Sequence, residues 1–318
     1  MNARRAQDIL RHIINDKDYG AAMVEKISVA ESIYVIKQIL PDCVRMAQEK
    51  DNLNDAGYFS EMLNKYYPVV IEKIKNAEHL WVVYSDTTGY PYMIDGDMFV
   101  LFDYANHAEI EKKLNAAGYK VALESVTPEE FRNEVAHMYR NGYQKIRFID
   151  GKCEPFVVEK EELFAYEDFF HEDYMMNPGL QRRMIEFFQE FRKESPLDSN
   201  KEQILKKRED EMIRAIINAE YMVPCIKEET EETVEISHPF VDLTDKITDK
   251  EEGERVIAVP VFSDGFELDK CYEGHHENML YRYEELVNLM DELGASGIII
   301  NCLGISYYMK LELMKKIV

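Results

Sequence analysis

Cys271, His275 and His276 form the densest grouping of metal-capable side chains, in the run Cys271-Tyr272-Glu273-Gly274-His275-His276-Glu277. A thiolate four residues ahead of an imidazole on a turn could begin a transition-metal site, with His238 and Asp242 as distant further donors. Zinc sites present their ligands as two pairs, and no second pair stands at ligand spacing nearby. Metal-dependent or hydrolytic chemistry through Cys271, His275 and His276 is therefore the alternative reading. Ser263-Asp264-Gly265, after an apolar run, is the nearest approach to a nucleophile on a strand-to-helix turn, but it lacks the glycines of a Gly-x-Ser-x-Gly elbow. The simpler expectation is that Ser263 caps a helix starting near Asp264. Neither Gly-x-Gly-x-x-Gly nor Gly-Lys-Ser/Thr occurs, which disfavours nucleotide enzymes. Among 61 carboxylates, a pair such as Asp95 and Asp97 arises by chance and argues nothing about paired-acid hydrolysis. No catalytic, cofactor-binding or metal-ligating residue is assigned, and no cofactor is expected.

Charge is the more unusual property. With 38 basic and 61 acidic residues in 318, the chain carries −23, and such a field repels phosphate backbones, so nucleic acid is not an expected partner. Residues 227–254 hold eleven carboxylates against Lys227, Lys246 and Lys250, a net −8. The ordinary reading is a solvated loop. The functional reading is a surface that steers a basic protein partner, with Glu228, Glu229, Glu231, Glu232, Glu251 and Glu252 as its candidate binding residues. No run of 18 apolar residues exists and the first 19 residues interleave charges with apolar positions, so no membrane segment or signal peptide is expected and a cytoplasmic location is. Five dispersed cysteines without a Cys-x-x-Cys pair argue against a disulfide framework. Cys225 and Cys302, inside apolar runs, read as small buried hydrophobes.

The elements that must position these residues follow from periodicity. Residues 1–75 carry apolar positions at helical spacing, with a Ser28/Glu31 capping box, Pro41 as a stop or restart, and a turn at Asn54, Asp55 and Gly57. From Leu80 the period changes to short β-branched and aromatic runs: 80–84, 98–103, 120–123, 145–149 and 153–158. Thr127-Pro128-Glu129-Glu130 opens a helix to about Arg140, and Asp150-Gly151 reads as a hairpin turn. Residues 163–210 form a helical connector whose aromatics, Phe164, Tyr166, Phe169, Phe170 and Tyr174, read as packing.

The remainder repeats the earlier order. Asn218-Ala219-Glu220 echoes Asn76-Ala77-Glu78, and Glu284-Glu285-Leu286 echoes Glu129-Glu130-Phe131, each opening a helix before a buried strand. Asn218-Ala219-Glu220-Tyr221-Met222-Val223-Pro224, Ile257-Ala258-Val259-Pro260-Val261-Phe262-Ser263-Asp264 and Gly297-Ile298-Ile299-Ile300-Asn301 resemble the amino-terminal domain of the SseB family. Cys302 departs from that family's pattern, which has Pro after the Asn. The resemblance covers about the last hundred residues well and residues 76–162 faintly. It implies a fold and carries no catalytic residues. The expectation is an α+β chain, a tandem duplication of a mixed-sheet SseB-like unit, divided into a helical segment (1–75), a first unit (76–162), a connector (163–210) and a second unit (211–318). The expected function is a non-enzymatic protein-binding, adaptor or regulatory module with a protein partner of basic character. The family's serine phenotype implies amino-acid sensing as a further alternative.

Overall fold

A computed structural model describes residues 3–15, 26–102, 107–149, 154–195, 198–229, 234–272 and 277–317. The chain is an α+β protein that divides into two compact units, one of Met1–Met138 with Gln144–Phe169 and the other of Tyr139–Tyr143 with Phe170–Val318. Among the described residues, no helix is long and apolar enough to cross a membrane.

The first unit begins with α1 (Ala3–Asn15) and α2 (Val29–Tyr34). Ser28 and Glu31 form the expected capping box, each side chain taking the other's backbone N–H at 3.2 and 3.1 Å. Pro41 restarts the helix rather than stopping it. A widened π-helical turn over Val35–Ile39 leads into α3 (Leu40–Glu49), and Pro41 sits in the first turn of α3, where its missing N–H costs little. The turn expected at Asn54, Asp55 and Gly57 lies earlier, at Lys50–Asn52, where Asp51 adopts φ 53°. Asn52 caps α4 (Leu53–Lys75) by accepting from the Asp55 N–H, so the same Asx residues that signal turns open a helix here.

Strands β1 (Leu80–Ser85), β2 (Met93–Ile94) and β3 (Asp97–Leu101) precede α5 (His107–Ala116), β4 (Val121–Val126), α6 (Pro128–Asn141), β5 (Lys145–Ile149), β6 (Phe156–Glu159) and α7 (Lys160–Leu163). The sheet order is β4-β1-β3-β5-β6: β1 is antiparallel to β4 and β3, β3 is parallel to β5, and β5 is antiparallel to β6. β2 pairs with the start of β3. Phe131, Val135 and Met138 form the buried face of α6. β5 alternates, with Ile146 and Phe148 buried while Arg147 reaches Asp97 at 2.6 Å. The turn predicted at Asp150-Gly151 lies outside the described residues.

The second unit contains α8 (Pro178–Phe191), α9 (Ser199–Ile217), β7 (Glu220–Glu229), β8 (Val234–Ser237), β9 (Val241–Asp242), β10 (Ile257–Val261), α10 (Gly265–Asp269), β11 (Glu277–Arg282), α11 (Tyr283–Leu293), β12 (Gly297–Ile300), β13 (Tyr307–Lys310) and α12 (Leu311–Lys316). Here β11 is antiparallel to β7, β10 is parallel to β12, and β12 is antiparallel to β13. β7 meets the end of β10 through an antiparallel bridge, Met222 with Phe262, while β9 pairs with the start of β10. The two units thus run through the same strand order and directions, with β2 and β9 in matching places. β8 is the addition. All four residues of β12 are buried, as befits a central strand.

Pro260 occupies that interior without losing a ladder bond. Val256 and Phe262 turn their backbone groups toward β9 and β7, so by alternation Pro260 faces the gap between those two partial partners.

The aromatics expected to pack together divide between the units. Phe164 and Phe169 stack edge to face at 5.8 Å under Arg132 in the first, and Phe170 with Tyr174 at 5.1 Å in the second.

The described parts of the acidic segment are built into the unit rather than left as a solvated loop. Glu228 and Glu229 extend β7 into a ribbon with β8, and Leu243 joins a buried cluster with Val256, Ala258 and Ile299. Its apolar centre folds because these residues can be covered, and strand pairing carries the adjoining carboxylates along.

Two substitutions test this architecture by urea denaturation. A Cβ on Gly297, at φ +152°, would stand 2.1 Å from the Met309 carbonyl oxygen, so Gly297→Ala is expected to destabilise by more than about 3 kcal/mol, whereas Gly57→Ala in open helical space should stabilise by roughly 0.5–1 kcal/mol. Glu228 lies directly opposite Glu235. Glu228→Lys should replace repulsion with attraction and raise stability by about 0.2–1 kcal/mol, and a loss would place the ribbon elsewhere.

Candidate functional site

Parallel strands β10 and β12 end side by side, and the residues just beyond them, Ser263, Asp264 and Asn301, are fully buried. Carboxyl ends of parallel strands are where α/β sheets gather polar groups. Asn301, at φ 49°, donates from Nδ2 to Ser263 Oγ at 3.0 Å and accepts the Ser263 N–H on Oδ1 at 3.0 Å. Gln181 of α8 donates to the same Oγ at 2.8 Å, and Ser263 donates onward to Asp264 Oδ2 at 3.2 Å. Asp264 caps α10 by accepting from the Glu267 N–H at 2.9 Å. The cap is therefore Asp264, a correction to Ser263: the hydroxyl is already committed to two amides and a carboxylate.

Arg140, at the end of α6 and counted with this unit, supplies the countercharge. Its Nη1 lies 3.3 Å from Asp264 Oδ1 and 3.2 Å from Glu267 Oε1, and Lys270 Nζ reaches Glu267 Oε1 at 2.7 Å. The guanidinium also stacks over Phe266 at 4.0 Å. Tyr174 closes over Gly265. Burial raises the Tyr174 phenol above its usual range, with Asp264 adding to the shift and Arg140 opposing it. Asn177 ties in the strands by donating to the carbonyls of Ser263 at 2.7 Å and Glu220 at 2.6 Å. Among the described residues Ser263 has no imidazole partner, and its hydroxyl, fully buried, is taken up by Asn301, Gln181 and Asp264, so these bonds hold the turn.

Asn177 also lines an open groove of about 1080 Å³. Its walls carry Glu172, Asp173, Glu220, Glu284 and Glu285, all exposed, with Arg282 as the one cation among the described lining residues. Arg282 is engaged by Glu220 at 3.1 Å. Leu280, 54% exposed, stands at the groove and faces the same side of the sheet as Met222 and, by alternation, Ile226, which is 59% exposed.

The residues singled out from the sequence fall elsewhere. Glu228 and Glu229 lie in the β7 ribbon, Glu251 and Glu252 in a turn before Val256, and none of them lines the groove. Glu231 and Glu232 lie outside the described residues, as do His275 and His276. His238 is buried with Nδ1 at 2.9 Å from the Pro224 carbonyl oxygen. Asp242 is held down to about 2, first by the hydroxyl and N–H of Thr244 and then by Arg255. Both supposed distant donors are therefore engaged where they stand. Among the described residues, no group of three or more His, Cys, Asp or Glu is arranged to hold a metal.

Cys225 is buried as expected, but Cys302 is only partly so, and its Sγ lies 3.0 Å from Cys271 Sγ. Burial, helped by the neighbouring Cys271, pushes the Cys302 thiol up to about 12. Tyr272 is likewise raised to about 12, chiefly by burial.

Sequence reasoning missed Arg140, Asn177 and Gln181. A signal for Gln181 exists: it stands three and four residues before Met184 and Ile185, on the apolar stripe of α8, and a polar residue there must find a buried partner. Arg140 and Asn177 carry no such local mark.

No family model, curated protein or solved structure matches this chain.

Removing the cation tests the buried cluster. Arg140→Met leaves Asp264 and Glu267 with Lys270 as their remaining named cation, and should cost about 3–5 kcal/mol of unfolding free energy. Adding Glu267→Gln to that variant should recover part of the loss, and urea melts of both compared with the parent decide it.

Proposed function

We propose that this chain is a non-enzymatic, SseB-like binding protein of the cytosol, whose second unit receives a basic segment of a partner protein. The observation that carries the reading is the groove of five exposed carboxylates lined also by the exposed Leu280, with Ile226 exposed further along the same sheet face. Exposed apolar side chains next to one sign of charge suit a segment that combines Lys or Arg with apolar residues. The chain's −23 charge adds long-range attraction to such a partner. The non-enzymatic part of the reading is supported by the commitment of Ser263 to its hydrogen bonds. Duplication of one ancestral unit is part of the same proposal, supported by the shared strand order and by the matching helices α6 and α11, which bury Phe131, Val135 and Met138 and Leu286 and Met290 respectively.

Amino-acid sensing asks for a pocket presenting partners for both a carboxylate and an ammonium group. The pocket of about 210 Å³ in the first unit, lined by Ile33, Tyr34, Phe148 and Phe156, offers Glu154 to an ammonium group, but its cation, Lys37, already donates to the Pro155 carbonyl oxygen at 2.8 Å. The binding reading is preferred on that ground.

Fluorescence anisotropy with labelled peptides combining lysine and leucine tests the proposal. Binding should weaken steeply with salt, and the triple variant Glu172→Lys, Asp173→Lys, Glu284→Lys should bind roughly tenfold or more weakly at low salt, each exposed charge contributing about 0.2–1 kcal/mol. Equal affinity of parent and variant would overturn the groove as the site.

A further inference from the structure

We infer that Cys271 and Cys302 are a redox-modification site, a dithiol that closes to an intramolecular disulfide and reopens. Their sulfurs lie 3.0 Å apart. A disulfide needs about 2.05 Å, so closure asks for a movement of about 1 Å. The two sulfurs stand on elements of different anchorage. Cys271 follows the C-cap of α10, a five-residue helix, and its N–H is bonded to the Leu268 carbonyl oxygen at 2.9 Å. Cys302 is fixed more firmly, directly after Asn301 at the end of the buried strand β12 and against the cluster of Leu243, Val256, Ala258 and Ile299. Neither sulfur is fully buried.

Two readings of the pair compete. As packing, a thiol in an apolar setting needs carbon neighbours, and a second thiol at 3.0 Å is closer than dispersion contact of sulfur requires. As a metal site, the pair lacks a third described donor. Dithiol chemistry needs just these two groups.

The exchange partner is a small disulfide such as glutathione disulfide. The Cys271 thiolate attacks one of its sulfurs and expels one glutathione thiolate, leaving a mixed disulfide on Cys271. The Cys302 thiol, giving up its proton, attacks the Cys271 sulfur and expels the second glutathione. The protein loses two electrons and two protons, and one glutathione disulfide becomes two glutathiones. Cys271, on the short helix α10, is the point of entry, and Cys302, at the end of the buried strand β12, is the resolving thiol.

Closure would tether both ends of residues 272–301, the stretch that holds β11, with Leu280 and Arg282, and α11, with Glu284 and Glu285. The site stands on the sulfur geometry and is independent of the binding reading.

The test uses the full chain, reduced and then equilibrated with glutathione disulfide. Intact mass should fall by two hydrogens with no glutathione retained, and alkylation should count three free thiols of the five in the sequence, with a peptide joining Cys271 to Cys302. Dithiothreitol should restore five. Cys271→Ser and Cys302→Ser should each abolish the mass change, and the oxidised parent should melt several degrees above the reduced one, a difference absent from both variants. Five reactive thiols after oxidation, a linkage through Cys43, Cys153 or Cys225, or stable glutathione adducts on Cys271 would each overturn the inference.

Discussion

The Asn301 side chain clamps the ends of two parallel strands, and most of what distinguishes the second unit hangs from that clamp. A parallel pair has no hairpin to register it, so its ends diverge unless something crosses between them. Asn301 crosses with both halves of its amide, to the backbone and the hydroxyl of Ser263, and its own N–H bonds the Val261 carbonyl oxygen at 3.0 Å. Its φ of 49° is a conformation that Asn tolerates better than most side chains. With Ser263 held, its hydroxyl orients Asp264, Asp264 caps α10, and α10 delivers Glu267 toward Arg140 and Cys271 toward Cys302. A run of short-range bonds thus carries one strand-end constraint to a charged cluster on one side and a thiol pair on the other.

The second unit uses carboxylates in two opposed ways. Asp264 and Glu267 are sealed from water, where an unpaired charge is expensive, and Arg140 and Lys270 balance them. Glu172, Asp173, Glu284 and Glu285 stay exposed along the groove, where water solvates them and cations are few. The buried set contributes to holding the turn, and the exposed set shapes the field outside. A net charge of −23 is tolerable because most of it is of the second kind.

The two units differ most in one connection. Between β1 and β3 the first unit has residues 86–96 and the small strand β2; between β7 and β10 the second has residues 230–256, with β8 preceding β9. The longer connection leaves the central pairing alike in the two units, since β9 meets the start of β10 as β2 meets the start of β3. Loop closure costs rise slowly with length, so such an arm is tolerated. The like charges of Glu228 and Glu235 on it are held opposite each other by the pairing of Ile226, Lys227 and their partners.

Local chemistry was legible from the chain itself. The Ser28/Glu31 and Thr127/Glu130 caps, the buried faces of α6 and α11, the alternation of β5 and the continuous burial of β12 all follow from side-chain type at fixed spacing, since caps and periodicity involve residues within one or two turns. Pro41 and Asn52 to Gly57 were ambiguous for the same reason, because Pro and Asx residues serve helix starts and turns alike. The polar cluster was not legible. Arg140, Gln181, Ser263 and Asn301 stand on four separate segments, and no short-range rule relates a cation in residues 139–143 to a carboxylate more than a hundred positions later. The same holds for Cys271 and Cys302, one read as a metal donor and the other as packing, and brought to 3.0 Å only when α10 and β12 end beside each other. Spacing along the chain determined the elements and their buried faces. Which polar and sulfur groups would meet was decided by tertiary structure alone, because burial favours pairing of such groups with whatever partner the fold brings near, however distant in sequence.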